Sequence, residues 1–404
     1  MRLLKKMVTI ISVIFSWLIY SLSFLFPRDN ATWIFIGWHQ NEDRDIFADN
    51  CKYLYLYVTA HEKDIDAVWI GGSEKLCTLL RTRGLKAYRV NSLKGAFYSF
   101  RARYTFCSAH IQTTNWKYCG GTKIMQLWHG DGIKNMRFMK NERWSLVKFF
   151  KYIFSPGLFV DPDFLISSSD FTAKHFICPS FNVEKKKVLI SGLPRYDVLL
   201  DNTTRGSDID VYQELSHLLD KLRSHDPKRI ILYAPTFRRG EENDLLLKNL
   251  QMEQLDQILK KKNEYMVASL HPKFSKTYNN MESPYTNIFF ANSDFDKYPL
   301  LPRFDLLITD YSSLCIEFIF MQKPVIFFTY DFESYLKDPG MYKAMWDVLP
   351  NNKVSTFEGL VALLDKDDKA LNTDTDKSRD ILFTYKDAHS SQRIVKYIKK
   401  LTTA

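Results

Sequence analysis

The chain has 404 residues, 46% hydrophobic and 25% charged, a mix that disfavours a disordered chain, a collagen-like repeat and a polytopic membrane protein. Its length predicts roughly two or three domains. Lys and Arg number 56 against 46 Asp and Glu, a net charge of +10, which indicates an anionic partner: nucleic acid, a membrane surface or a phosphorylated substrate.

The first predicted element is a hydrophobic helix. Residues 7–26 read MVTIISVIFSWLIYSLSFLF, without a charge, and at 1.5 Å per residue such a helix matches a hydrocarbon core of about 30 Å. Arg2, Lys5 and Lys6 precede it and indicate a cytoplasmic amino terminus. A single span would place the rest of the chain outside the cell. We therefore expect residues 1–27 to be a membrane-associating segment that lies in the interface, although a buried core helix fits the same pattern.

The six cysteines favour a reducing compartment. They are scattered, and no two form the C-x-x-C pair of a zinc or redox site. Six cysteines are also too few for disulfide bonds to stabilise a chain of this length. We therefore predict buried, reduced thiols in a protein on the cytoplasmic face of the cell membrane.

Beyond residue 27, short β-rich runs alternate with helical patterns. The strands predicted in the first half are residues 33–37, 67–71, 87–90, 123–127, 164–166 and 187–190. The polar stretch DNTTRGSDID, residues 201–210, has turn chemistry and is the predicted domain boundary. The strands predicted after it are residues 229–233, 265–269, 306–309 and 324–328. This alternation predicts two α/β domains with parallel sheets, residues 28–200 and 201–404, and a ligand in the cleft between them.

Polar motifs follow five of these strands, at the carboxyl ends where open α/β sheets bind ligands. They are WHGDGIK from Trp128, GLPRYD from Gly192, APTFRR from Ala234, LHP from Leu270 and DYSS from Asp310. In the last motif, serines stand where the next helix begins, a pattern that fits a phosphate cradle and plain helix capping equally well. One such motif is often structural, but five together predict a nucleotide or phosphate site.

In this order the motifs resemble the CDP-glycerol glycerophosphotransferases of teichoic-acid and capsule synthesis. The resembling segments are QLWHGDGIK, SGLPRYDVL, LYAPTFR, LHP, LLITDYSSLCIEF and KPVIFF, over about residues 120–340. The resemblance implies a GT-B-like α/β fold, in which two Rossmann-like domains face a cleft, attached to the cytoplasmic membrane surface. It also implies transfer of glycerol phosphate from CDP-glycerol to a hydroxyl of a lipid-linked or polymeric acceptor, with release of CMP. No cofactor is predicted.

The resemblance also implies roles for individual residues. His129 would be the catalytic base, which takes the proton of the attacking hydroxyl. The residues implied at the substrate site are Trp128, Gly130, Arg195, Pro235, Thr236, His271, Ser312, Ser313 and Glu317. Arg238 and Asp310 join them because they lie at strand ends in the same motifs. The chain departs from the family pattern at Asp131-Gly132, where a small residue and proline are common, and at Asp338-Pro339-Gly340, which leaves the acceptor and the polyol open.

Several alternatives remain at this point. A ribitol-phosphate transferase that uses CDP-ribitol shares every motif, and a sugar-nucleotide glycosyltransferase shares the fold. A membrane-bound scaffold has no need of a candidate base, and nucleic acid is not a predicted partner because no basic-aromatic interleaving occurs. Asp161-Pro162-Asp163 matches a DxD pattern, but its proline favours a turn, so no metal site is predicted.

Overall fold

The computed structural model describes residues 2–39, 45–109, 116–136, 145–201, 206–236, 248–270, 283–291 and 296–403. Within these ranges the strands are β1 (Asp29–Ile36), β2 (Trp38–His39), β3 (Asp45–Ile46), β4 (Asp66–Gly71), β5 (Ala87–Arg89), β6 (Ala102–Cys107), β7 (Lys123–Gln126), β8 (Phe164–Ser167), β9 (Val188–Ile190), β10 (Arg229–Tyr233), β11 (Glu264–Ser269), β12 (Ile288–Ala291), β13 (Leu306–Thr309), β14 (Val325–Phe328) and β15 (Lys353–Val354).

The helices alternate with these strands. They are α1 (Arg2–Ser23), α2 (Asp49–His61), α3 (Glu74–Thr82), α4 (Leu93–Arg101), α5 (Leu146–Phe154), α6 (Asp170–Thr172), α7 (Cys178–Phe181), α8 (Pro194–Leu200), α9 (Gln213–Arg223), α10 (Met252–Lys262), α11 (Leu314–Phe320), α12 (Phe332–Lys337), α13 (Lys343–Asp347), α14 (Phe357–Leu364), α15 (Asp368–Leu371), α16 (Thr375–Leu382) and α17 (Ser390–Thr403). A π-helical turn, Ala173–Ile177, joins α6 to α7.

The first half of the chain builds a parallel sheet of seven strands, counted over the described residues, in the order β5-β4-β1-β6-β7-β8-β9. Its apolar runs are buried, with Ile34, Phe35 and Trp69 fully inside. Helices cover the faces of such sheets, so the strands read as continuous apolar runs, and each strand predicted in this half is confirmed. Strand β6 was not predicted because it follows α4 directly, without a turn signal between them.

The second half builds a six-stranded parallel sheet over its described residues, in the order β12-β11-β10-β13-β14-β15. Its four predicted strands are confirmed as β10, β11, β13 and β14. From β10 the chain adds β11 and β12 on one side, then returns to add β13 to β15 on the other. The strand order thus reverses between β10 and β13, which is where open α/β sheets form a ligand crevice.

The last helix does not stay with the second sheet. Both carboxylate oxygens of Asp197 in the first half accept backbone N–H groups at the start of α17, from Ser390 at 2.8 Å and from Ser391 at 2.9 Å. Lys399 pairs with Glu62 at 2.6 Å, near the end of α2. Helix α17, which belongs to the predicted domain of residues 201–404, therefore packs on the first half, and the division into domains at residue 200 stays a prediction.

Helix α1 is held against the first half at its carboxyl end. The half-buried Arg28 donates through its guanidinium to the carbonyl oxygens of Ser23 and Ser99, each at 2.8 Å. Farther along the helix, Trp17 Nε1 donates to Ile153 O at 3.0 Å and so joins α1 to α5. The helix is therefore docked on the domain surface.

The outer face of α1 stays uncovered. Ile11, Ile14 and Phe15 are 62%, 64% and 60% exposed, so the alternative of a buried core helix is wrong. In the part of the chain that the structure describes, no helix meets the length and hydrophobicity required to cross a bilayer. Association of residues 1–27 with a membrane stays a prediction.

Candidate active site

The loop after β7 carries the predicted base, and hydrogen bonds hold its first residues in place. Asn50 Nδ2 in α2 donates to the carbonyl oxygens of Leu127 at 3.1 Å and of Trp128 at 2.9 Å. Trp128 adopts a φ of 50°, in the left-handed region, and its buried indole packs edge-on against Phe181 with ring centroids 5.0 Å apart. Such a backbone is costly for a bulky residue, so the surrounding contacts must hold it.

The half-buried His129 is oriented by its backbone surroundings. Its Nδ1 lies 3.3 Å from the carbonyl oxygen of Ser108. A carbonyl only accepts, so Nδ1 carries the proton in this contact, and Nε2 is then the basic nitrogen of the neutral ring. An imidazole in this tautomer is suited to take a proton from a hydroxyl group.

Gly130 allows the loop to close onto Arg195. Its φ of 116° is one that side chains rarely adopt, and a Cβ there would lie 2.0 Å from Arg195 Nη2. Any other residue would push the loop and Arg195 apart. Gly130 therefore serves the packing of the loop, whereas its predicted contact with substrate is untested.

Arg195 joins the loop to both halves of the molecule. Its Nη1 donates to His129 O at 2.7 Å, to Tyr298 Oη at 2.6 Å and to Asp49 Oδ1 at 3.2 Å. Its Nη2 pairs with Glu317 in α11. The side chains of Arg195 and Glu317 are each 1% exposed, so this ion pair is out of water.

The buried charges change the acid–base properties of their neighbours. Burial raises the pKa of Asp49 to about 6, against the opposing charge of Arg195. Burial also raises the pKa of Glu317, and Arg195 again opposes the shift. Burial alone would lower the pKa of Arg195, but Glu317, Tyr298 and Asp49 together raise it well above its ordinary value. The guanidinium therefore stays charged.

A second buried pair joins the halves nearby. Lys52 Nζ in α2 lies 2.7 Å from Asp296 Oδ2, and both side chains are fully buried. The same ammonium donates to the carbonyl oxygens of Ser207 at 2.9 Å and of Ile209 at 2.6 Å. Paired and hydrogen-bonded in this way, the charge of Lys52 is compensated inside the protein.

The predicted turn after β10 is held by the end of β13. Thr236 donates to Asp310 Oδ1 through its backbone N–H at 2.8 Å and through Oγ1 at 2.7 Å. Thr309 Oγ1 also donates to Ala234 O at 2.6 Å. Asp310 is buried, so its carboxylate positions the Ala234-Pro235-Thr236 turn at the crevice where the strand order reverses.

Ser312 and Ser313 follow the strand that holds this turn and lie at the start of α11. The Ser313 side chain makes no capping hydrogen bond, while Ser312 Oγ accepts weakly from Leu314 N at 3.4 Å. Plain capping therefore explains little of this serine pair. Its contact with a phosphate stays a prediction.

The predicted site residues divide into two groups by exposure. The half-exposed group is His129, Pro235, Thr236, Ser312 and Ser313. The buried group is Trp128, Gly130, Arg195, Asp310 and Glu317. Two further predicted contacts, Arg238 and His271, lie outside the described residues. The buried members hold the loop and the turn. Direct contact of Arg195 or Glu317 with the donor substrate would therefore require their ion pair to break.

One carboxylate of the DxD match, Asp163, makes structural contacts. Asp163 Oδ2 accepts from Ile124 N at 2.9 Å, and Oδ1 pairs with Lys123 at 2.8 Å. Over the described residues, no three His, Cys, Asp or Glu side chains are grouped as metal ligands would be.

Sequence reasoning missed the residues that support the loop. Asp49, Asn50 and Tyr298 contact the His129 loop or Arg195, and Lys52 joins the halves close by. The only signal was Asp49-Asn50 at the start of a helix, which is typical of ordinary capping. Their partners are distant in the sequence, so no local pattern identifies them.

Three comparisons place the chain among known proteins. A family model described as CDP-Glycerol:Poly(glycerophosphate) glycerophosphotransferase matches residues 18–400. The teichoic acid ribitol-phosphate polymerase TarL of Staphylococcus aureus is 32% identical over 228 residues, 55% of this chain and 38% of that protein. The teichoic acid glycerol-phosphate transferase of the same organism is 25% identical over 380 residues, 88% of this chain and 90% of that protein.

The fold has solved counterparts. A structure of the wall teichoic acid polymerase TagF matches with a TM-score of 0.68 and 20% identity, over 99% of this chain and 97% of that chain. At this identity the likeness establishes the two-domain α/β fold alone. The matches to three ribitol-phosphate polymerases cover 38%, 52% and 37% of those longer proteins.

Proposed function

The chain belongs to the CDP-glycerol:poly(glycerophosphate) glycerophosphotransferase family, and from this premise we propose that it transfers a polyol phosphate from a CDP-linked donor. The donor we propose is CDP-glycerol, and the acceptor is a hydroxyl of a lipid-linked or polymeric chain in teichoic acid or capsule synthesis. CMP is the product released. The family match and the relatives named for glycerol-phosphate transfer support this proposal.

The reaction is a displacement at phosphorus. The acceptor oxygen attacks the phosphorus bonded to glycerol, a new P–O bond forms, and the P–O bond to CMP breaks. His129 Nε2 takes the proton of the attacking hydroxyl, and CMP leaves with the electron pair of the broken bond. A positioned base of this kind contributes roughly 10²–10⁴-fold.

The observation that carries the proposal is the way His129 is held. Ser108 O sets the tautomer with Nε2 basic, and Arg195 bonds the His129 carbonyl oxygen at 2.7 Å while it pairs with Glu317 in the other half. The base is thus tied to the half that contains the predicted donor crevice. Preorganised geometry between a base and a bound substrate is a main source of rate enhancement.

Charge on the donor phosphates needs fixed hydrogen-bond donors. We propose that the half-buried Thr236, Ser312 and Ser313, which follow strands β10 and β13 where the strand order reverses, supply hydroxyl groups. Arg238 and His271 follow strands β10 and β11 and are proposed to add positive charge. We propose that Arg195 acts through the His129 loop, because its Nη atoms are already bonded to protein groups.

We also propose that the apolar surface of α1 and α5 rests on the cytoplasmic face of the membrane. Leu146, Val147, Phe149 and Phe150 of α5 are at least half exposed, next to the uncovered face of α1. Exposed apolar patches of this kind on joined helices are suited to the interface, and the net charge of +10 favours anionic lipid. A lipid-linked acceptor would be presented at that surface.

A donor screen with product sizing tests the proposed function. The protein is incubated with radiolabelled CDP-glycerol or CDP-ribitol and a lipid-linked acceptor. We expect label in the acceptor and release of CMP. Transfer from CDP-ribitol alone would favour the second candidate, which the similarity to TarL supports. Release of a nucleoside diphosphate from a sugar nucleotide would instead identify an ordinary glycosyltransferase.

The role of the base is tested with His129→Ala. We expect donor affinity in calorimetry to be retained and turnover to fall by roughly 10²–10⁴-fold. His175→Ala is the matched control, because His175 is half-buried in the π-helical turn and packs against Phe171 with ring centroids 4.6 Å apart. Near-normal transfer by His129→Ala would remove His129 from the role of base.

A further inference from the structure

Asp131, two residues beyond His129, is a buried carboxyl whose hydrogen bonds come from Ser168. Its side chain is 1% exposed, and Oδ2 accepts from Ser168 Oγ. Over the described residues, Oδ1 has no hydrogen-bond partner. Ser168 Oγ in turn lies 3.2 Å from Tyr196 Oη.

Among the described residues, the groups that face Asp131 make no ion pair with its carboxylate. They are Ser168 after β8, Arg195 and Tyr196 on α8, and Glu317 on α11. Both Nη atoms of Arg195 are bonded elsewhere. Burial raises the pKa of Asp131 to about 6; the Ser168 hydrogen bond and Arg195 oppose the shift, and Glu317 adds to it. A buried carboxylate in this setting costs stability.

The loop that contains Asp131 is anchored on its far side to the other half of the molecule. Tyr342 N donates to Ile133 O at 2.8 Å, and Asn135 N donates to Gly340 O at 3.0 Å. The first residues of the loop are held by the hydrogen bonds from Asn50 to the carbonyl oxygens of Leu127 and Trp128. Between these two held segments, the hydrogen bond from Ser168 to the side chain of Asp131 connects the loop to the rest of the first half.

We propose that Asp131 is a positioning residue that holds His129 in place through the hydrogen bond to Ser168. This role rests on the proposed function of His129 as the base. The tether is strongest when Asp131 is ionised, because hydrogen bonds to a charged group are shorter and stronger than neutral ones. The chain thus keeps a carboxylate where a neutral residue would be more stable, a pattern typical of functional sites.

Asp131→Asn keeps the shape and removes the charge. We expect kcat to fall by roughly tenfold, the effect of replacing a hydrogen bond to a charged group by a neutral one, with the donor KM changed less than about twofold. The unfolding temperature should rise above that of the unsubstituted protein near pH 8. This gain should shrink as the pH falls toward 4, because a carboxyl with a raised pKa destabilises only above its unfolded pKa.

Two further variants separate positioning from stability. Ser168→Ala removes the same hydrogen bond but leaves the carboxylate, so we expect a similar loss of kcat together with lower stability. Asp197→Asn is the matched control. Burial raises the pKa of Asp197 as well, but its carboxylate caps α17, so this variant should lose stability and keep kcat within about twofold.

One readout needs no turnover. The ¹⁵N spectrum of the imidazole groups, with His129 assigned from His129→Gln, reports the tautomer and environment of the ring. Asp131→Asn should shift the His129 signals, and Asp197→Asn should not. If the unsubstituted protein transfers no polyol phosphate, the proposed function fails, while this spectrum and the unfolding temperatures still decide the role of Asp131.

The proposal is overturned by either of two results. One is that Asp131→Asn leaves both kcat and the His129 imidazole signals unchanged. The other is that it lowers stability at every pH, which would make Asp131 an ordinary structural residue.

Discussion

The buried pair of Arg195 and Glu317 leads to a quantitative prediction about stability. Both side chains are 1% exposed, so loss of one partner leaves the other charge in the interior. For buried pairs this costs roughly 3–5 kcal/mol, whereas replacing both partners by apolar residues is often nearly neutral. We therefore expect Glu317→Leu and Arg195→Met to be strongly destabilising and the double variant to recover most of the loss.

The two single variants should differ. Glu317→Leu leaves Arg195 with Asp49 at 3.2 Å, which compensates part of the charge and places the cost near 3 kcal/mol. Arg195→Met leaves two buried carboxyls, whose pKa values burial already raises. Carboxyls with raised pKa values destabilise above their unfolded pKa, with the full cost reached above the folded pKa, so Arg195→Met should cost nearer 5 kcal/mol near pH 8 and less near pH 5.

Urea and thermal unfolding of the four proteins, as a double-mutant cycle, measure the coupling between the two residues. Lys343→Ala is the control, since the exposed Lys343–Asp347 pair should contribute less than about 1 kcal/mol. The reasoning is refuted if both single variants unfold at the same urea concentration as the unsubstituted protein. It is also refuted if the double variant loses as much free energy of unfolding as the two single variants lose together.

Two other predictions concern the membrane surface and the donor turn. Phe149 and Phe150 are each 50% exposed, so Ser at both positions should remove about 2 kcal/mol of membrane affinity, roughly 30-fold in binding to anionic vesicles. Leu336→Ser, at a 46% exposed position in the other half, should bind as the unsubstituted protein does, and equal losses would argue against the α1–α5 surface. Asp310→Ala removes both hydrogen bonds from Thr236, so the donor KM should rise by roughly tenfold while kcat changes less; an unchanged KM in steady-state kinetics would contradict this.

The sequence predicted the sheets well because burial on both faces leaves a local signal. Runs such as Arg229–Tyr233 and Leu306–Thr309 coincide with strands β10 and β13, residue for residue. The motif that follows each strand is also local, and two of the residues predicted from these motifs, Thr236 and Asp310, are hydrogen-bonded to each other. In contrast, which face of α1 is exposed depends on the distant segments that pack against that helix, and the sequence pattern does not show them.

The roles within the site required the tertiary structure. Arg195 and Glu317 were both predicted as substrate contacts, yet they are buried and bonded to each other, 122 positions apart. Asp131 was noted only as a departure from a pattern, and its burial against Ser168 could not be read from its neighbours in the chain.

By itself, then, the sequence determined the α/β class, the two parallel sheets and the family, since these follow from apolar runs and motifs within a few residues of each other. Only the tertiary structure decided which polar residues face the crevice and which support it, and that α17 returns to the first half. The physical reason is that the partners of a buried charge are chosen by the packing of distant segments. No spacing along the chain encodes that choice.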